Sequence, residues 1–147
     1  MKIAGTLKVA AVAFLVSFGG AMSVGAYAAD GTHSNYTVNG YNYTNWASAY
    51  GGTPSLDGHA CTSVKRNGSG TIPAGWMGAT ARAFQGTTLK IESGYQFTST
   101  AVASTANCVT TRGVFTGLFY SYGVTAAYNG NGNSFFYTFK SPTQTQG

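Results

Sequence analysis

The side chains able to do chemistry are few, and three of them stand together in Asp57-Gly58-His59-Ala60-Cys61. A thiol near an imidazole is the minimum for nucleophilic catalysis, because the base promotes the reactive thiolate. A second cysteine, Cys108, offers a competing use. In an oxidising compartment two cysteines pair, and pairing removes the nucleophile. Cys61 and Cys108 are therefore expected to form a disulfide. It would close a loop of about 48 residues, worth ~4 kcal/mol in the chain-entropy model.

Hydrolysis of glycosides needs two carboxyl groups about 5 to 10 Å apart. Apart from Asp30 near the N-terminal end, only Asp57 and Glu92 are available. Asp57 beside Gly58 reads as a turn residue and Glu92 as a solvent-facing strand residue. A Ser-His-Asp site has no G-x-S-x-G elbow to carry its nucleophile. His33 and His59 have no partner at metal-binding spacing, and no carboxylate cluster offers calcium a cage. The glycines do not lie between a strand and a helix, so neither a phosphate loop nor a dinucleotide fingerprint is present. The inventory argues against an enzyme and calls for no metal or cofactor.

The elements that must position these residues follow from composition. Of 147 residues, 44% are hydrophobic and 14% aromatic but only 7% are charged, about a quarter of the charged fraction usual for globular proteins. Disorder and coiled coils are both excluded by that balance. Lys2 and Lys8 precede an apolar run from Val9 to Phe18, and Ala26-Tyr27-Ala28 fits the small-residue cleavage rule. Residues 1–28 are expected to be a signal peptide, too short in its apolar core for a membrane anchor, which needs ~20 residues. Residues 29–147 then form one secreted, extracellular domain. With Lys2 and Lys8 removed, six bases face three acids, and the formal charge falls from +5 to +3. The bases are scattered, which speaks against a nucleic-acid partner.

Along the mature chain the apolar period is two. Tyr41 and Tyr43, Leu89 and Ile91, and Tyr95 and Phe97 each alternate with polar residues, as half-buried strands do. From Val114 to Tyr128 the parity carrying Val114, Leu118, Tyr120, Tyr122, Val124, Ala126 and Tyr128 is the expected core face. Asn129-Gly130-Asn131-Gly132 then predicts a type I′ hairpin turn into a strand over 135–139. Asn39-Gly40 and Asn67-Gly68 mark further turns. The expected fold is all-β: a single antiparallel β-sandwich or small barrel of about seven or eight short strands, with a polar C-terminal tail from about residue 141.

Several linked segments carry a resemblance. Asn45-Trp46-Ala47, Ile72-Pro73, Met77-Gly78-Ala79-Thr80-Ala81-Arg82, Ser121-Tyr122-Gly123-Val124, Ala127-Tyr128-Asn129-Gly130-Asn131-Gly132 and Ser141-Pro142 resemble a group of small secreted proteins from Gram-positive bacteria. The resemblance implies export and a compact β-fold, and supplies no catalytic residue.

With catalysis disfavoured, function is expected on a surface rich in aromatic and amide side chains. Rings stack on the C–H faces of sugars while amides and hydroxyls bond their oxygens, so cell-wall or extracellular polysaccharide is the expected partner. Trp46, Tyr41, Tyr43 and Tyr50 are the first candidates, followed by Tyr120, Tyr122 and Tyr128. Two alternatives are a membrane-active or bacteriocin-like antagonist, using the long alternation of residues 114–128, and a protease inhibitor presenting Lys65 or Arg66 on a loop over residues 62–72.

Overall fold

A computed structural model of the chain describes residues 28–147, so the expected signal peptide lies outside the described residues except for Ala28. Thirteen strands follow one another without a helix among the described residues: β1 (Ala28–Asp30), β2 (Ser34–Val38), β3 (Tyr41–Tyr50), β4 (His59–Arg66), β5 (Met77–Thr80), β6 (Arg82–Gln85), β7 (Thr88–Glu92), β8 (Gln96–Phe97), β9 (Ser104–Thr110), β10 (Gly117–Ser121), β11 (Val124–Tyr128), β12 (Asn133–Tyr137) and β13 (Gln144–Gln146). Every ladder between them is antiparallel.

The strands form three sheets. One has the order β1-β3-β4-β9, with β2 sharing the edge of β3 that β1 occupies. The other two have the orders β13-β10-β6-β7 and β12-β11-β5-β8. The latter pair are two halves of one bent layer. β10 runs into β11 through Tyr122-Gly123, β5 into β6 through Ala81, and β7 into β8 through 93–95. Hydrogen bonds cross these bends from Tyr122 N to Arg82 O (3.2 Å), Ser93 N to Ala81 O (3.0 Å) and Thr138 N to Gly123 O (3.1 Å). Each layer therefore has four strand lines, most of them broken, which reconciles thirteen strands with the expected seven or eight. The result is an open sandwich; none of the three sheets closes into a barrel.

The first hairpin obeys its turn chemistry. Asn39 (φ 48°) and Gly40 (φ 77°) both sit in the left-handed region between β2 and β3, as a two-residue type I′ turn requires. The C-terminal hairpin also forms, with Tyr128 opposite Asn133, but its connection is a four-residue loop. Asn129 Oδ1 accepts from Asn131 N (3.0 Å), and of the two asparagines neither has positive φ. The Asn side chain builds the turn here, instead of its backbone adopting the left-handed conformation.

The core-facing parity of residues 114–128 is a correction. Leu118 is 65% and Val114 47% exposed, while Phe119, Ser121, Thr125 and Ala127 are fully buried. The inner face carries the smaller side chains because the layers approach closely at Gly123, where an added Cβ would lie against Thr62. Two apolar clusters flank this narrow centre. One gathers Val38, Tyr43, Val64, Ile72, Met77 and Ala127; the other gathers Ala49, Ala60, Ala81, Ala83, Val109 and Phe119. Between them lie bonded polar groups: Asn45 Nδ2 donates to Thr125 Oγ1 (2.9 Å) and Ser121 Oγ to Cys61 O (2.9 Å).

Segment 141–147 is a second correction, since it belongs to the fold. β13 pairs with β10, and Gln146, 1% exposed, closes the loop before β4. Its Oε1 accepts from Gly58 N (2.9 Å) and Thr111 Oγ1 (2.8 Å), while Nε2 donates to Thr53 O (2.9 Å).

Tyr36 links the polar centre to pH. Its ring stacks on Phe136 at 3.8 Å between centroids, and its hydroxyl bonds Thr125 Oγ1 (2.9 Å). Burial pushes its phenol up to about 12, against a smaller opposing effect of the Thr125 bond. The unfolded chain releases this proton near pH 10. Stability from Tyr36 is thus complete below pH ~10 and is lost as pH rises towards about 12. Alkaline denaturation curves should show Tyr36→Phe less pH-sensitive across this window, by up to ~1.4 kcal/mol per pH unit. Parallel curves for the two proteins would refute this. Burial also raises Tyr43, Tyr50 and Tyr95, so the variant keeps a residual slope.

Candidate functional site

The four first-ranked aromatics do not meet. Tyr43 is fully buried in the core, so it cannot offer a ring to a ligand. Tyr41 packs beside it on the inner side, with Trp76 edge-on at 6.1 Å and the Arg66 guanidinium over its ring at 5.0 Å. Trp46 and Tyr50 have the opposite parity on β3 and face outward from the five-stranded sheet. There the half-buried Trp46 is covered by His33, stacked at 4.6 Å. Period-two alternation separates residues one position apart, and that rule divides this set.

A contiguous aromatic surface lies instead on the outer face of the bent layer. The register places Phe135, Ala126, Gly78 and Phe97 in one row across β12, β11, β5 and β8. Tyr137, Val124 and Thr80 form the next row, and Tyr95 immediately precedes β8. The middle positions are small and buried although their parity points outward, because rings from both edges lean over them. A Cβ on Gly78 would sit 2.8 Å from Phe97 Cδ1. Tyr95 bridges the edges, 5.2 Å from Phe135 and 6.2 Å from Phe97. Exposure stays high: Tyr95 43%, Phe97 40%, Phe135 54% and Tyr137 59%.

The surface continues over the bend. Tyr137 stacks on Tyr122 at 5.6 Å, and Phe84 stacks on Tyr120 at 5.6 Å with planes 9° apart. The Arg82 guanidinium sits between these pairs, 4.9 Å from Phe84, 5.4 Å from Tyr122 and 5.7 Å from Tyr137. Lys140 Nζ lies 4.8 Å over Tyr120. An open cleft of about 670 Å³ adjoins them, lined by Thr32, Tyr122, Tyr137, Thr138, Phe139 and Lys140. Contiguous exposed apolar surface marks interaction sites. Tyr120 and Tyr122, second-ranked by sequence, belong to it. Tyr95 and Phe97 were expected as half-buried strand residues, and Phe135 and Tyr137 as members of the strand after the turn; the small side chains Gly78 and Ala126 between them are the sequence signal of rings folded over a floor.

The chemistry-bearing segment is spoken for. Cys61 and Cys108 are joined, and they are direct register partners in the β4–β9 ladder. Asp57 pairs with Arg112. Among the described residues no group of three or more His, Cys, Asp or Glu side chains could hold a metal ion. The expected loop over 62–72 is a third correction, since Thr62 to Arg66 belong to β4, a central strand paired on both sides. Arg66 Nη1 donates to Thr71 O (3.0 Å) and does not project. The alternation of residues 114–128 is likewise divided between two sheets at Tyr122-Gly123. Comparisons of the chain with protein-family models, curated proteins and solved structures found no match.

Proposed function

We propose that this chain is an exported, non-enzymatic binding protein that holds a polysaccharide against the aromatic face of its bent layer. The observation that carries the reading is the run of exposed rings from Phe97 through Tyr95 and Phe135 to Tyr137, continued by the half-buried Tyr122 and seated on a floor of fully paired strands. Sugar rings stack by their C–H faces on such a surface, and Thr32 and Thr138 in the adjoining cleft offer hydroxyl partners. Phe97, Phe135 and Tyr137 stand on strands, so little order is lost at these rings on binding. A secreted location fits the disulfide and the N-terminal charge and apolar pattern.

Pull-down on insoluble polysaccharides or purified cell wall, competed with soluble sugar, tests this. Tyr95→Ala with Tyr137→Ala should weaken retention at least about tenfold, as loss of central aromatic anchors does. Trp46→Ala, on the opposite outer face, should leave it unchanged. Absence of retention on every polymer, or loss caused by Trp46→Ala in place of the tyrosine pair, would overturn the reading.

A further inference from the structure

We infer that the polymer is anionic, and that Arg82 and Lys140 read its carboxylate or phosphate groups while the rings hold its sugar units. This rests on the polysaccharide reading above and adds the charge of the ligand. Arg82 is the central observation. Its Nε is buried without a hydrogen-bond partner, and three rings surround its guanidinium. Glu92 lies opposite Arg82 in the β6–β7 register, yet the two form no ion pair; among the described residues the single ion pair is Arg112–Asp57. Lys140 is likewise without a carboxylate partner and rests on Tyr120.

Stacked rings hold a guanidinium in place while leaving its charge uncompensated, since ring faces attract a cation without neutralising it. The planar fork then meets an oxyanion with little rotamer freedom left to lose. Lys140 supplies a second positive charge at the far side of the Phe84–Tyr120 stack and lines the cleft beside Tyr122 and Tyr137. Two unpaired cations on one aromatic run suit a chain of sugars with repeated negative charge. A neutral glycan would leave Arg82 and Lys140 without partners.

The test compares retention of the full mature protein on beads carrying polygalacturonate, a glycerol-phosphate polymer or neutral dextran, over rising sodium chloride. Retention is expected to be at least about tenfold stronger on one or both polyanions than on dextran, and to fall with salt. The two acidic arms separate carboxylate from phosphate recognition. Arg82→Gln and Lys140→Gln should each remove most of the polyanion advantage, read as the ratio of retention on polyanion to retention on dextran. Lys140 is exposed, so its variant keeps the test decisive if Arg82→Gln fails to fold; Arg82→Lys should keep part of the salt-sensitive binding. Equal retention on dextran and polyanion, unaffected by either Gln variant, would overturn the anionic preference and leave the polysaccharide reading standing. No retention on any polymer would overturn both.

Discussion

Gly123→Ala is expected to cost at least ~3 kcal/mol of stability, at the upper end of what overpacking a core does. The added Cβ would fall within bonding distance of Thr62 Oγ1 and lie 2.6 Å from Thr62 Cβ. Gly123 is not among the glycines with positive φ, so the requirement is close approach between layers and not an unusual backbone conformation. Rotating the Thr62 side chain cannot relieve the overlap, because its Cβ is fixed by the backbone of β4. The layers would have to separate, and both flanking clusters would lose contact. Urea unfolding should show the loss directly. Thr62→Gly in the same chain removes the obstructing atoms and should recover much of it, giving a strong coupling between two residues 61 positions apart in sequence. Additive effects of the two substitutions, or a Gly123→Ala loss below ~1 kcal/mol, would show that the crossing is looser than described.

Replacing both Cys61 and Cys108 by Ala should lower stability by ~4 kcal/mol through the freed unfolded chain. For about 120 ordered residues that is a fall of roughly 15 °C in Tm. The fold itself should persist, because the cysteines are already neighbours in the ladder, Cα atoms 4.1 Å apart and flanked by paired Ala60–Val109 and Thr62–Asn107. Calorimetry with and without reductant measures the shift. Polymer retention well below the lowered Tm should be unaffected, since the bridge lies on the outward face of the five-stranded sheet and the aromatic run on the outer face of the other layer. A Tm change under ~3 °C would mean that the unfolded state is restricted without the bridge.

Much of the architecture was legible locally. Alternation in Tyr41–Tyr50 and Leu89–Ile91 produces strands, Asn39-Gly40 produces the tight turn, and two cysteines have one possible pairing and form one bridge. Each rests on an interaction between residues close in sequence or on a pairing with a single solution. Strand breaks were less legible. Ala81 and Tyr122-Gly123 interrupt strands because the layer bends over the first sheet, and nothing in their immediate neighbours demands it. Gln146 looked like part of a polar tail, yet it satisfies groups near residues 53, 58 and 111. A polar residue becomes core when distant backbone groups converge on it.

By itself the sequence determined the fold class, the bridge and the scarcity of catalytic groups, because propensity, cysteine count and charge inventory are properties of the chain whatever its path. Only the tertiary structure decided which aromatics face solvent. Both parities of residues 114–128 carry apolar side chains, and periodicity favoured the one that the structure turns outward. The close crossing of Gly123 over Thr62 chose between them, admitting only small side chains at Ser121, Gly123 and Thr125 and turning Tyr120 and Tyr122 out beside Arg82 and Tyr137. Burial depends on what packs opposite, and for this chain the partner lies about sixty residues away.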